Sequence, residues 1–208
     1  MLIQVVHSHP LTDSYNHALF RIIVESAAGP ASGRRDRSLP GALFACHDRG
    51  GAPKLFSAAP TPRRRWRDLV RQLRQADGII FCFPHWWFSM PAMLKGYFDR
   101  VWAPGTAFAH DFGWRTHQPL LTNIKLFGVV TTYGSPWWLT RIVMQDLDRK
   151  VLFRALKPMC GPGVRSFYLA HYDMDRSTPA SRQAFAERVR SKNRRALRLG
   201  RVARPRQE

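Results

Sequence analysis

The chain has 208 residues, 45% of them hydrophobic, which suits a single domain with one substantial core. Lys and Arg number 33 against 14 Asp and Glu, and the resulting net charge of +19 attracts anions such as nucleic acid, acidic lipid or phosphorylated cofactors. The three cysteines are too few and too scattered for a disulfide framework or a CxxC zinc site. We expect one domain over residues 1 to 200, a basic tail over residues 201 to 208, and reduced thiols.

The N-terminal segment MLIQVV has no preceding basic residues and no extended apolar core, so a signal peptide is not predicted. No other apolar run approaches the length that spans a bilayer. These observations predict a cytoplasmic protein. The basic residues are spread over many segments, which favours a solvated basic surface over nucleic-acid binding and leaves a peripheral contact with a membrane or a transporter open.

In the first half of the chain, residues 2 to 6 (LIQVV) predict a short strand that ends at a polar loop. The segment YNHALFRIIVESA follows, and its apolar residues recur at helical spacing. Residues 29 to 41 combine turn formers and charge without periodicity, which predicts an exposed loop. ALFACHD, after this loop, is a weak candidate for a second strand.

In the second half, a helix over residues 65 to 77 precedes GIIFCF, residues 78 to 83, an apolar run typical of a central parallel strand. PAMLKGYFDRVW predicts a helix that starts near Pro91, and residues 124 to 132 predict another buried strand. Three further segments are predicted as a helix, a strand and a long terminal helix: WWLTRIVMQDLDRKVLFRAL, VRSFYLAHY and TPASRQAFAERVRSKNRRALRL. This alternation predicts a doubly wound α/β fold with a mostly parallel sheet.

Three polar or aromatic loops directly follow predicted strands: HSHPLTDSYN, PHWWFS and TTYGS. Ligands of open parallel sheets bind beyond the carboxyl ends of the strands, so these loops should meet at one site. The first loop leads into a helix N-terminus suited to a phosphate, with Ser14, Tyr15 and Asn16 as further donors, although Thr12, Asp13 or Ser14 could equally serve only as an N-cap. The absence of GxGxxG and GK[ST] argues against a standard dinucleotide site and a P-loop.

The aromatic loop would present Trp86, Trp87 and Phe88 to a flat heterocycle, and an isoalloxazine ring fits that description. Core packing is the alternative, but so many aromatic residues crowded at one strand end make it the weaker interpretation. TTYGS adds hydroxyl groups and a glycine that permits close backbone approach. His9 beside His7 suggests a metal, but no third ligand is clustered with them, so no metal site is predicted.

The segment FPHWWFSMPAMLKGYFDRVWAPGTAF resembles the signature of the flavodoxin-like NAD(P)H:quinone oxidoreductases. HSHPLTDSYNHAL is similar to that family's HPxxxSFNxAL segment and VVTTYGS to its TTGGS, and the three motifs follow the family order over roughly residues 2 to 195. The resemblance implies a flavodoxin-like, doubly wound, five-stranded parallel sheet with helices on both faces. It also implies an NAD(P)H dehydrogenase (quinone) that passes a hydride from NAD(P)H through a bound flavin to a quinone.

The resemblance also implies a set of site residues. The flavin phosphate or diphosphate would be held by His7, Ser14, Tyr15, Asn16 and Ala18. The isoalloxazine would be bordered by Pro84, His85, Trp86, Trp87 and Phe88, and at its other edge by Thr131, Thr132, Tyr133 and Gly134. His85 and Tyr133 are the candidate catalytic residues, with His85 as a proton donor near the quinone. The expected cofactor is FAD, with FMN as the alternative, and the expected assembly is a homodimer.

The chain departs from the family pattern after TTGGS. Tyr133 replaces the first glycine, and an ungapped comparison places Leu139 and Gln145 where some members have a tyrosine and a histidine that handle charge. Three other functions stay open. They are an azo- or nitro-compound reductase of the same fold, a flavin-binding regulatory subunit of a potassium-efflux-type membrane transporter, and a nucleic-acid binder that uses the basic charge.

Overall fold

The computed structural model describes residues 1–27, 34–38, 64–109 and 118–202, and its centre is a parallel sheet of four long strands. In spatial order they are β1 (Ile3–His7), β3 (Gly78–Pro84), β6 (Leu126–Thr132) and β7 (Arg165–His171). β2 (Arg34–Ser38) pairs in parallel with the outer edge of β1. Two short strands, β4 (Phe108–Ala109) and β5 (Gln118–Pro119), form a separate antiparallel pair. The predicted α/β fold with a parallel sheet is confirmed.

Helices cover both faces of this sheet. They are α1 (Tyr15–Ala27), α2 (Arg64–Gln75), α3 (Ala92–Val101), the short α4 (Leu147–Lys150) and α5 (Pro179–Val202). All seven residues of β3 are buried. On one face of β3, Ile79, Phe81 and Phe83 pack with α2 and α3. On the other face, Ile80 and Cys82 pack with α1 and α5. Burial on both faces explains why β3 is a continuous apolar run rather than an alternating one.

The prediction of an exposed loop over residues 29 to 41 is wrong for β2. Its sequence RRDRS has no apolar alternation, so periodicity gives no sign of a strand. Backbone pairing with β1, from Ile3 with Arg34 to His7 with Ser38, places the segment in the sheet. Charged residues are common on edge strands, where they discourage pairing with other chains. The predicted strand ALFACHD, residues 42 to 48, lies outside the described residues.

The single helix predicted over residues 137 to 156 is divided into several parts. Leu139–Val143 and Val151–Leu156 are π-helical, α4 lies between them, and Lys157–Cys160 forms a 3-10 turn. The first break falls where Gln145 and Asp146 have φ values of 55° and 49°, in the left-handed region. The buried Asp146 carboxylate accepts a hydrogen bond from Tyr133, which precedes the predicted helix, and a helical period cannot reveal this contact.

Two cysteines lie in the described part of the chain as free, buried thiols. Cys82 is in β3, and burial raises the pKa of its thiol well above the ordinary range. Burial also raises the pKa of Cys160, to about 12, against the opposing influence of Lys157. Both groups are therefore protonated at neutral pH. Across the described residues, no helix combines the length and the apolar character that crossing a bilayer requires.

Candidate functional site

A cleft of about 590 Å³ opens at the carboxyl ends of β3 and β6. Pro84 pairs in register with Thr132, so the loops that follow these two strands begin side by side. The cleft is lined by Pro84, His85, Trp86, Trp87, Thr132 and Gly134, and by Met174 and Asp175 from the segment after β7. Six of these eight residues were predicted from the sequence. The structure therefore brings the second and third predicted loops together at one site.

The aromatic loop is closed by a tight two-residue turn. The backbone N–H of Trp86 donates to Ser89 O at 3.0 Å, and the N–H of Ser89 donates to Trp86 O at 3.1 Å. Trp87 and Phe88 occupy the turn with φ values of 53° and 58°, where Asn and Gly are the usual residues. Each bulky residue in this region costs about 1–2 kcal/mol. The strained turn leaves Trp87 97% exposed at the cleft.

His85 is buried beside the turn, and contacts inside the protein fix both of its ring nitrogens. The Thr131 hydroxyl donates to Phe83 O at 2.6 Å, so it accepts from His85 Nδ1–H across 2.8 Å. Nε2 lies 3.1 Å from Asp148 Oδ2, an ion-pair distance without the angle of a well-formed hydrogen bond. The imidazole also stacks on Tyr133, with ring centroids 3.7 Å apart. His85 therefore presents an immobilised ring to the cleft.

Tyr133 is stacked against the His85 ring and is not among the residues that line the cleft. Its ring is stacked between His85 and Tyr172, whose centroid is 5.1 Å away. Its hydroxyl donates to Asp146 Oδ1 at 3.0 Å and accepts from the Tyr168 hydroxyl at 2.6 Å. Burial, with Tyr168 and Asp146 adding to it, raises the pKa of Tyr133 far above neutrality. The phenol stays protonated, and a catalytic role for it stays a prediction.

The predicted phosphate-binding residues lie at two places, with His7 buried as the last residue of β1 and the others around the start of α1. The Ser14 hydroxyl accepts from the backbone N–H of His17 at 3.1 Å and donates to Leu11 O at 3.1 Å. Ser14 is therefore the N-cap of α1, the second of the two roles that its position allowed. A ring contact between His9 and Trp86, with centroids 5.9 Å apart, connects this first loop to the aromatic loop.

The remaining predicted residues differ in their exposure. Tyr15 is half-buried and its hydroxyl donates to Arg182 O at 3.0 Å, whereas Asn16 is buried and Ala18 is exposed. None of these three lines the cleft. Phe88 is half-buried, within the turn. The structure thus places the phosphate-binding candidates beside the cleft, around the start of α1.

Three residues at or near the cleft were missed. Met174 and Asp175 follow β7, so the rule that strand ends line the site would have found them if it had been applied to that strand. Asp148 lies in α4, far along the chain from His85, and no spacing or motif connects the two. Only the structure reveals Asp148, because it shows a buried carboxylate, which requires a partner, beside His85.

His7 should make the stability of the protein sensitive to acid. Burial lowers its pKa to about 4, helped by His17 and His9 and opposed by a hydrogen bond with Asn16, against 6.5 for a free histidine. The unfolded chain therefore takes up this proton first, so stability is full above about pH 6.5 and falls as the pH drops towards 4.

We expect the wild type to lose about 2 kcal/mol more than His7→Asn between pH 7 and pH 5. Urea unfolding of both proteins at the two pH values measures this difference. Equal losses in the two proteins would contradict the assignment to His7.

A family model described as a flavodoxin-like fold matches residues 1–192, and the chain belongs to this family. The human ribosyldihydronicotinamide dehydrogenase (quinone) is 54% identical over 70 residues, which cover 32% of this chain and 30% of that protein. The rat NAD(P)H dehydrogenase (quinone) 1 is 40% identical over 65 residues, covering 31% and 23%. The match thus spans less than about a third of each of these relatives. The family model together with these relatives confirms the resemblance seen in the motifs.

Two solved structures show the same fold over most of their length. The NAD(P)H:quinone oxidoreductase of Methanothermobacter marburgensis has a TM-score of 0.72 at 20% identity, covering 93% of this chain and 96% of that one. An FMN-dependent NADH-azoreductase of Bacillus anthracis, in complex with FMN, has a TM-score of 0.70 at 14% identity, covering 93% and 98%. At these low sequence identities, the structural similarity shows a shared fold alone.

Proposed function

We propose that the protein is a flavin-dependent NAD(P)H:quinone oxidoreductase, which transfers two electrons as a hydride from NAD(P)H through the flavin to a quinone. The observation that carries this proposal is the cleft at the ends of β3 and β6, where six of eight lining residues belong to the predicted ring-binding motifs. Quinone reductases among the sequence relatives and the structural neighbours support it. A complete five-stranded sheet with β2 at its edge, a homodimer and a cytoplasmic location belong to the same proposal.

The residues of the cleft suit an isoalloxazine ring. Trp86 and Trp87 offer exposed indole surface for stacking. Gly134 leaves room for the Asp175 carboxylate, which also lines the cleft, because a Cβ at this position would lie 2.8 Å from Asp175 Oδ2. FAD is the proposed cofactor, and the FMN complex of the Bacillus anthracis neighbour supports FMN as the alternative.

A flavin bound here would accept a hydride from NAD(P)H and pass it to the acceptor. The protein's own contribution would be to bind and orient the rings. Trp87 would supply a stacking surface, Thr132 and Gly134 would border the opposite edge, and His85 would form a fixed wall. The proposal keeps His85 as the candidate proton donor to the quinone, a role for which the proton on Nδ1 would have to leave its hydrogen bond with Thr131.

An azo-compound reductase is the second candidate, because the Bacillus anthracis neighbour of this name shares the fold over 93% of the chain. Reduced flavin delivers a hydride to many acceptors, so the cleft residues do not separate these two activities. Turnover with a benzoquinone and with an azo dye, measured on the same preparation, would rank the acceptors.

The proposal is tested by the visible absorption spectrum of the purified protein, recorded before and after adding FAD or FMN and then NADPH without oxygen. We expect protein-bound flavin bands that bleach on adding NADPH and return when a quinone is added. A protein that retains neither flavin would contradict the proposal. Flavin that binds but stays oxidised with both NADPH and NADH would contradict the reductase activity while leaving a flavin-binding role.

A further inference from the structure

The aromatic loop is tied to α4 by a single buried carboxylate. Asp148 Oδ2 lies 3.1 Å from His85 Nε2, and Asp148 Oδ1 accepts from the Ser89 hydroxyl at 3.3 Å. His85 and Ser89 flank the two turn residues Trp87 and Phe88. One side chain therefore contacts the chain both before and after the strained turn.

Burial makes these contacts important. Asp148 is only 5% exposed and His85 8%, so neither can exchange its partner for bulk water. A buried carboxylate without a partner is strongly unfavourable, and so is a buried imidazole nitrogen. Other ionisable groups near the pair are the hydroxyls of Tyr133, which stacks on His85, and of Tyr168, on which Asp148 acts electrostatically. Asp146 accepts a hydrogen bond from Tyr133 and forms an ion pair with Arg149.

The turn needs such support. Strained backbone conformations persist where the surrounding structure determines them from several directions. At the first end of the loop the backbone N–H of His85 donates to Thr132 O at 2.8 Å, which attaches the loop to β6. At the second end, the contact from Ser89 to Asp148 attaches the loop to α4.

We infer that Asp148 is a positioning residue, which holds the aromatic loop in its strained, ligand-ready conformation through His85 and Ser89. The inference rests on the proposed flavin site, since it explains what keeps the stacking surface of that site in place. Asp148 does not line the cleft and would act on the ring only through these two residues.

The test compares Asp148→Ala and Asp148→Asn with the wild type, with Asp99→Ala as a control. Asp99 is an exposed aspartate on α3 that pairs with Lys95. Two quantities are measured. They are amide hydrogen exchange at Trp86 and Ser89 in the flavin-free protein, and the FMN dissociation constant from quenching of flavin fluorescence.

For Asp148→Ala we expect exchange at these two amides to become about tenfold faster and FMN binding about tenfold weaker. Asp148→Asn should stay within about threefold of the wild type, because its amide can accept from Ser89 and donate to His85. Asp99→Ala should match the wild type. If Asp148→Ala leaves both quantities unchanged, or accelerates exchange equally throughout β3, the positioning role is overturned.

Ser89→Ala provides a second variant that removes one contact and keeps the buried pair, in case Asp148→Ala does not fold. We expect the Trp86 amide, which donates to the backbone oxygen of residue 89, to exchange about threefold faster, and an unchanged rate would count against the inference. The hydrogen-exchange measurement needs no flavin. If the wild type binds neither FMN nor FAD, the proposed function fails, while the exchange rates still decide whether Asp148 holds the loop.

Discussion

Replacing Trp87 with alanine is expected to weaken flavin binding about 10-fold to 100-fold. The change removes an indole that lines the cleft, and a stacked aromatic surface of this size is worth about 1–3 kcal/mol. Because Trp87 is 97% exposed without ligand, the free energy of unfolding should change by less than about 0.5 kcal/mol. Flavin titration and urea unfolding measure the two effects.

Trp87→Gly is the matched control, because it removes the same indole and also relieves the backbone. Glycine adopts a φ of 53° without a steric penalty. The free energy of unfolding of this variant should therefore exceed that of Trp87→Ala by about 1 kcal/mol. Flavin affinity should fall at least as far in Trp87→Gly as in Trp87→Ala, because both variants lack the indole. Unchanged flavin affinity in either one would remove Trp87 from the site.

Replacing Tyr133 with alanine should lower the free energy of unfolding by about 3–5 kcal/mol. The substitution empties the space between His85 and Tyr172, where the phenol ring is stacked on both sides. Tyr133→Phe keeps this packing and removes only the hydroxyl, which takes away the hydrogen bond that Asp146 Oδ1 accepts from it. We expect it to cost about 1–2 kcal/mol.

Urea unfolding of the two Tyr133 variants separates packing from hydrogen bonding. If Tyr133→Phe costs as much as Tyr133→Ala, the hydroxyl network rather than the stacked ring maintains this part of the protein. If both variants are as stable as the wild type, the description of Tyr133 as a buried support is wrong.

The central strands could be predicted closely because both of their faces are buried. GIIFCF over residues 78 to 83 agrees with β3 to within one residue, and the run over residues 124 to 132 contains β6. The strand β2 could not be predicted, since pairing with β1 rather than apolar periodicity places it in the sheet. The break at Asp146 was equally hidden, because apolar periodicity does not report the hydrogen bond from Tyr133, outside the predicted helix, to Asp146.

For the site, the rule that ligands lie beyond strand ends predicted a cleft that both Trp87 and Gly134 line in the structure. The same rule could not place Tyr133, whose ring lies behind His85 instead of lining the cleft. It could not find Asp148 either, because a support that acts from behind a loop follows no strand. Residues that contact a ligand leave local patterns in the sequence, whereas those that hold them in place depend on three-dimensional packing.

The burial of the cysteines has a chemical consequence under the proposed function. Quinones are electrophiles that alkylate thiolates, so an enzyme that handles them risks covalent inactivation by its own substrate. Reaction requires an accessible thiolate. Cys82 and Cys160 are both buried and protonated, and neither lines the cleft. In the part of the chain that the structure describes, a quinone bound in the cleft would therefore meet no accessible thiolate.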